Sequence, residues 1–480
     1  MKCWLAKPSA IALSVACCGL TLAACAPDLG PPPVIPTAAH FETSKSLPPS
    51  NQAWPADTWW RTFGDAQLDQ LINEAVANSP KMSEAIARIE LAKAQAINAR
   101  AALLPNVGAM GTVRDSRITQ NLGLPSDGDF HWLGAALVTG SFEIDFWGKN
   151  RAGLEAATSQ AMAAKADAAA AQLMLASQVA SAYVDFARLQ VMRDLAADAV
   201  RMRKETRDLA ALRLQAGTGQ RQAVDQADSA VDAATAQLRA VDESVELTRH
   251  MIAALLGAGP DRGSRIARPV LIRRRNPGLP KDLPLELVGR KPELVAARWR
   301  AESAAQRIHQ ATAAYYPNVN LMAVAGFVSM GLDKLFEDRS ALVSAGPAIS
   351  LPIFDGGRLE AGYRGARAEY DLAVASYRDV LLQSLQATAD AVTSLKALRG
   401  RSAAANSAEA KAQNAYDLTK LRYKGGLADY DSVLLTENAL IAAREEAATL
   451  RLRGFQLDIA LARALGGGFR GTIPIERTPS

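Results

Sequence analysis

The chain has 480 residues, 49% of them hydrophobic and 21% charged, with 54 Lys and Arg against 49 Asp and Glu. That length allows two or more domains, and the composition is ordinary for a folded protein, which excludes a disordered or collagen-like chain. A net charge of +5 over this length is no nucleic-acid signature, and 4 Cys are too few for a disulfide scaffold.

Residues 1–24 read as a signal peptide. A basic start at Lys2 and Lys7 leads into an apolar run from Ala10 to Ala24, too short to span a bilayer as a permanent helix. The run stops at Leu22-Ala23-Ala24-Cys25, which resembles the bacterial lipobox, where a peptidase cuts before a cysteine whose thiol has received a lipid. The alternative is an ordinary cleavage with Cys25 incidental. Cys3, Cys17 and Cys18 leave with the peptide, so the mature chain keeps only Cys25 and forms no disulfide; 52 cations then face 49 acids, a net +3. One acyl chain anchors only marginally, whereas the two or three of a lipoprotein hold a membrane firmly. By the same resemblance, Ala26 in place of an aspartate implies sorting to the outer membrane. The stretch 25–66 begins as a proline-rich tether, APDLGPPPVIP, leading away from the lipid.

From there the chain is written twice, over residues 67–257 and 284–468. Pro80 and Pro105 stand 25 apart, as do Pro292 and Pro317, each 212 positions from its twin. ARIELAKAQ pairs with ARWRAESAA and EIDFWGKNR with SLPIFDGGR, while LAALRLQAG with LTKLRYKGG and AALLGAG with ARALGGG stand 209 apart. Each unit reads helix, strand, strand, very long helix, helix. Residues 154–216 contain no Gly or Pro across 63 positions, a helix of about 95 Å that needs a partner along its whole length. Its twin, Arg358–Lys424, admits only Gly362, Gly365 and Gly400.

Coiled-coil register follows each long helix. Val231, Ala234, Leu238, Val241, Val245, Thr248, Ile252 and Leu255 recur at spacings of three and four, and a seam from Leu440 through Ala447, Leu450, Leu457 and Leu461 to Ala464 repeats them. The shorter helices of unit one, 24 residues between Pro80 and Pro105 and 37 from 220 to 256, would stack end to end beside the 63 of the long one.

Two hairpins are expected, with strands at 106–114, 133–145, 318–328 and 341–353. In the third, Val319, Leu321, Ala323, Ala325 and Phe327 share one face against Asn318 and Asn320 on the other. Nine to thirteen residues with one apolar face suit a tilted transmembrane strand; a soluble sandwich edge carries the same signature. Four strands cannot close a barrel, and hydrocarbon does not tolerate open edges. Membrane insertion therefore requires several chains to pool their strands, and three would give twelve.

Between the units, 258–283 reads as a solvated linker: Arg262, Arg265, Arg268, Arg273, Arg274 and Arg275 share it with Pro260, Pro269, Pro277 and Pro280. A grip on anionic partners is the alternative. Residues 469–480 form a tail. His40, His131, His250 and His309 lack ligand spacing, no Walker-type phosphate loop is present and no thiol is free, so neither enzyme chemistry, a metal nor a cofactor beyond a lipid on Cys25 is expected.

Together WWRTFGDAQLDQLI, the paired ALLPNV and AYYPNV, GSFEIDFWG, GPAISLPIFDGGR, LRYKGGLADYDSVL and the closing ALGGG resemble the TolC-like outer-membrane factor family, in its NodT-type lipoprotein branch. The resemblance runs from the lipobox to about Gly468. It implies a mainly α fold with membrane β: a homotrimer whose twelve-stranded outer-membrane barrel continues into a periplasmic α-helical barrel. It also implies passive export of small toxic compounds, delivered by an inner-membrane efflux transporter through a periplasmic adaptor (membrane fusion protein). A duct for secreted polypeptides, and a lipid-anchored coiled-coil scaffold or adaptor, are the competing readings. By the resemblance, Trp54, Trp59 and Trp60 pack an equatorial belt, an interfacial aromatic belt being the alternative. Gly217 and Gly426 would lie at the far periplasmic tip, where the adaptor makes contact. Asp225, Asp228, Asp429 and Asp431 would follow those turns as a pore constriction, or cap helix N-termini. Where the family often carries an aspartate this chain has Leu435, which makes Asp429 and Asp431 the substitutes to test.

Overall fold

The computed structural model describes residues 29–36, 41–43, 45–47, 53–117, 130–272 and 289–471. Cys25, the signal peptide, His40, Arg273 to Arg275 and the tail from 472 lie outside the described residues.

The chain opens on a short 3-10 turn, Trp59–Phe63, followed by α1 (Ala66–Asn78) and α2 (Pro80–Ala101). Asp65 starts α1 as N-cap, its carboxylate accepting the Gln67 amide. Leu68, Leu71, Ile72 and Ala75, at helical spacing, bury one face. A hairpin of β1 (Asn106–Arg117) and β2 (Phe130–Ile144) leads to α3 (Lys149–Gln215) and α4 (Arg221–Leu255). Unit two repeats the order with α5 (Pro292–Ala313), β3 (Asn318–Met330), β4 (Ala341–Ser350), α6 (Arg358–Lys424) and α7 (Tyr430–Ala464).

The long helices have 67 residues each, about 100 Å. The first begins at Lys149 and includes Gly153, where sequence puts its start at 154. A lone glycine costs a helix only about 1 kcal/mol, which packing along such a length outweighs. α2 and α4, of 22 and 35 residues, lie along α3, and α5 and α7 lie along α6. α5 also packs on α3, which welds the two units together. The residues of both expected seams are buried or half-buried. The end-to-end joints are tight: Gly257, after α4, has φ 71°, and a Cβ on it would lie 2.5 Å from the carbonyl oxygen of Asn78, which ends α1 just before α2. Its twin Gly466, after α7, has φ 83° and abuts the Arg290 carbonyl just before α5.

The strands form one antiparallel meander, β1-β2-β3-β4, with β1 and β4 as open edges and the two units joined at β2–β3. Partners such as Ala109↔Val138, Val138↔Ala325 and Ala325↔Val343 place alternate residues of all four strands on a common face. That face carries Val107 and Val113 of β1, Trp132 and Val138 of β2, the expected five residues of β3, and Val343 and Ile349 of β4. The other carries Asn106, Thr112, Thr139, Glu143, Asn320 and Ser344 interspersed with apolar residues such as Met110, Leu137, Met322 and Leu342. Expected bounds shift at both hairpins, β1 running on to Arg117 and β4 stopping at Ser350. There Leu351 precedes Pro352, whose ring removes a ladder donor.

Midway along the long helices sits a core of Trp59, Trp60, Phe63, Leu68, Tyr183, Phe186, Phe455 and Ile459. Phe63 meets Phe455 edge-on at 5.3 Å. Trp54 is half-buried in a second cluster with Leu47, Leu294, Tyr377 and Leu381, under the Arg290 guanidinium at 4.8 Å. All three tryptophans thus pack among helices.

Candidate functional site

The helical end remote from the sheet is built from two copies of one turn. At Gly217 (φ 71°) the Thr218 amide reaches back to the Arg213 carbonyl (3.0 Å) and the Gly217 amide to Leu214 (3.0 Å). At Gly426 (φ 76°) Leu427 reaches Arg422 (2.8 Å) and Gly426 reaches Tyr423 (3.1 Å). Each is a glycine-ended helix stop, in which the left-handed residue lets the last carbonyls find donors. The turns stand side by side: Arg213 donates to the Tyr423 carbonyl at 3.0 Å and lays its guanidinium 4.6 Å from that ring's centre. Burial pushes the Tyr423 phenol up, and the neighbouring Tyr430 phenol, 6.3 Å away ring to ring, up to about 12.

The four candidate carboxylates follow these turns and have different partners. Asp225 is exposed on α4 and takes Arg221 Nε at 3.0 Å one helical turn back. Asp228 takes Arg207 Nε of α3 at 2.8 Å. Asp429 is the N-cap of α7, accepting the Ser432 amide at 2.9 Å, and the donors of Ser432 hold its pKa below the usual aspartate value. Asp431 is exposed in the first turn of α7. Four residues on, Leu435 stands 71% exposed on the same helix face. The capping role expected as the alternative is therefore occupied at Asp429.

One ionisable residue of this end escaped the sequence reading. Glu437 on α7 is 1% exposed, in a cluster of Met202, Tyr416, Tyr423, Tyr430 and Val433. Thr206 donates to its Oε2 at 3.3 Å, and Arg203 Nε stands 3.4 Å from Oε1 without hydrogen-bond alignment. Desolvation raises its pKa, outweighing Arg203. Arg203 extends its other nitrogens to the Ala230 carbonyl on α4 (2.9 Å) and Asn438 on α7 (2.8 Å), so one side chain of α3 links both returning helices. A shallow groove of about 830 Å³ lies over it, between Gln226 and Ala230 of α4 and Leu434 of α7. Its burial has no signal in the sequence: the seam's alternation of three and four continues back from Leu440 to Thr436 and Val433, one position off Glu437. Among the described residues no cluster of His, Cys, Asp and Glu could hold a metal ion, and no helix is long and apolar enough to cross a membrane.

Comparison with known proteins adds a direct finding. The family model described as outer membrane efflux protein matches residues 71–258 and 283–467, one stretch per unit. The fusaric acid resistance protein FusA of Burkholderia cepacia is 35% identical over 374 residues, 76% of this chain and 70% of that one. The pyoverdine export outer membrane protein OpmQ of Pseudomonas aeruginosa is 29% identical over 86% of this chain and 87% of its own. Among solved structures, the outer membrane protein VceC of Vibrio cholerae superposes with a TM-score of 0.82 at 37% identity, covering 87% of this chain and all of that one.

Proposed function

The chain belongs to the outer membrane efflux protein family, and from that premise we propose how this outer-membrane efflux channel is assembled and worked. Three copies pair β4 of one with β1 of the next and close a barrel of twelve strands. The observation that carries this reading is the shared apolar face of the sheet, with Val107 71%, Val343 80% and Ile349 68% exposed. A patch of that kind on a single copy marks a buried or membrane-facing surface. Lipid would leave the amides of both open edges unsatisfied, so closure must come from further copies. The helices, about 100 Å long, then continue the barrel as a tunnel into the periplasm.

Lipid on Cys25 anchors each copy to the outer membrane. At the far end the Gly217 and Gly426 turns receive the periplasmic adaptor, supported by the exposed Leu212, Leu421 and Leu427 beside them. An inner-membrane transporter supplies the cargo. That cargo is small toxic compounds, in line with the fusaric acid resistance and small-molecule export named for the relatives. Asp431, with Asp225, Asp228 and Asp429, rings the narrowest passage, where threefold repetition of a carboxylate favours cations. Reconstitution of the purified mature chain into planar bilayers tests the reading. The expected result is a trimer with cation-selective conductance that rises when Asp431→Asn and Arg213→Ala loosen the tip; a monomer without conductance in every variant refutes it.

A further inference from the structure

The tether is docked to the helical wall, and one buried arginine holds it there. Arg367, 9% exposed on α6, donates Nη1 to the Gly30 carbonyl at 3.1 Å and Nη2 to the Pro31 carbonyl at 2.6 Å. Its Nε faces Asp371 at 3.3 Å, which fixes the fork. Three residues further along α6, the Tyr370 hydroxyl donates to the Pro33 carbonyl at 3.2 Å. Ile35 then joins the cluster of Tyr377, Leu381 and Leu385. Residues 30–31, 33 and 35 thus meet 367, 370 and the 377–385 stretch in order, so the tether runs parallel to α6.

That direction decides where the chain's beginning points. α6 starts at Arg358, directly after β4, and Arg367 is about 14 Å down its axis at 1.5 Å per residue. From Ile35 back to Gly30 the tether climbs toward the sheet. Cys25 lies five positions before Gly30, a maximum reach of about 17 Å. The sulfur can therefore just attain the level where helices give way to strands, and cannot go far beyond it. Prolines at 31, 32 and 33 fix φ and reduce the conformations that the free leash would sample, which lowers the cost of docking it.

We propose that Arg367 is a positioning residue for the lipid anchor: by gripping the Gly30 and Pro31 carbonyls it fixes the acyl chains at the foot of the barrel wall, beside the β4 edge. This rests on the lipid reading of Cys25. The clamp turns a floating leash into a strut, so the acyl chains enter the membrane close to the open edge that must pair with the next copy. Lys cannot replace Arg here, because a point charge does not fork onto two carbonyls.

The test uses the full mature chain. Spin labels at Leu29→Cys and Ala361→Cys report the tether on the wall by pulsed electron resonance. The expected result is one narrow distance distribution with Arg367, a broad one in Arg367→Ala and an intermediate width in Arg367→Lys. An equally narrow distribution in Arg367→Ala overturns the clamp. Intact mass separately reads the acyl chains on Cys25, so loss of the lipid reading is seen independently of the clamp. The yield of trimer in outer membranes is then compared in Cys25 and Cys25→Ser backgrounds. Arg367→Ala should reduce yield with the native cysteine and add nothing in Cys25→Ser. An equal proportional loss in both would make Arg367 a mere support of α6 and overturn the positioning role.

Discussion

Gly466 presses against Arg290: with φ 83°, it brings the end of α7 so close to the start of α5 that a Cβ would overlap the Arg290 carbonyl oxygen. Two short helices can mimic one long one only if the joint between them is nearly absent. Gly466→Ala must therefore pay both left-handed strain and a backbone collision, costing about 2 kcal/mol or more. Gly217→Ala meets open space and carries only the strain, about 1 kcal/mol. Thermal unfolding of the two variants should show Gly466→Ala clearly the less stable.

The sheet's two faces predict a contrast within one strand. Ala323, in the middle of β3, belongs to the apolar face, and Met322 to the other. Ala323→Lys should oppose insertion by about 2–4 kcal/mol, while Met322→Lys should be tolerated. Heat-modifiable trimer in the outer-membrane fraction measures both.

Glu437 sets a pH dependence. Its folded pKa is raised by burial, so its stability contribution is intact below the unfolded value, 4.5, and is lost as pH rises through the folded one. Glu437→Gln should accordingly melt higher than the parent at neutral pH, with the gap closing as pH falls toward 4.5. Arg203→Ala should destabilise by about 3 kcal/mol at neutral pH by leaving the carboxylate unpaired.

Asp429 behaves in the opposite sense. Its pKa is lowered by Ser432, so capping is complete above the ordinary aspartate value, 3.8, and fades as pH falls through the folded pKa. Asp429→Ala should speed hydrogen exchange at the Ser432 amide and Asp429→Asn should largely preserve protection, because the amide oxygen still accepts.

Periodic features were legible in sequence. The seam from Val231 to Leu255, the face from Val319 to Phe327 and the turns at Gly217 and Gly426 each follow from a repeat that the backbone itself enforces. What depended on distant partners was not. Glu437 reads as an ordinary surface acid until α3 supplies Arg203, and Gly153 reads as a helix boundary until α5 packs beside it, Gln310 of α5 coming within 3.0 Å of a Cβ built there. The prolines of the tether announce extension but not direction, which only Arg367 and Tyr370 reveal.

Because β2 pairs with β3 and α5 lies against both long helices, the duplicated units are neighbours of the same kind that separate copies would be. A ring of three chains then presents six near-equivalent sectors in two alternating versions. The odd sectors end in an arginine-paired Asp225, the even ones in an Asp429 engaged with its own helix. On the proposed assembly, a partner docked at that end would meet two distinct kinds of seat alternating around the ring.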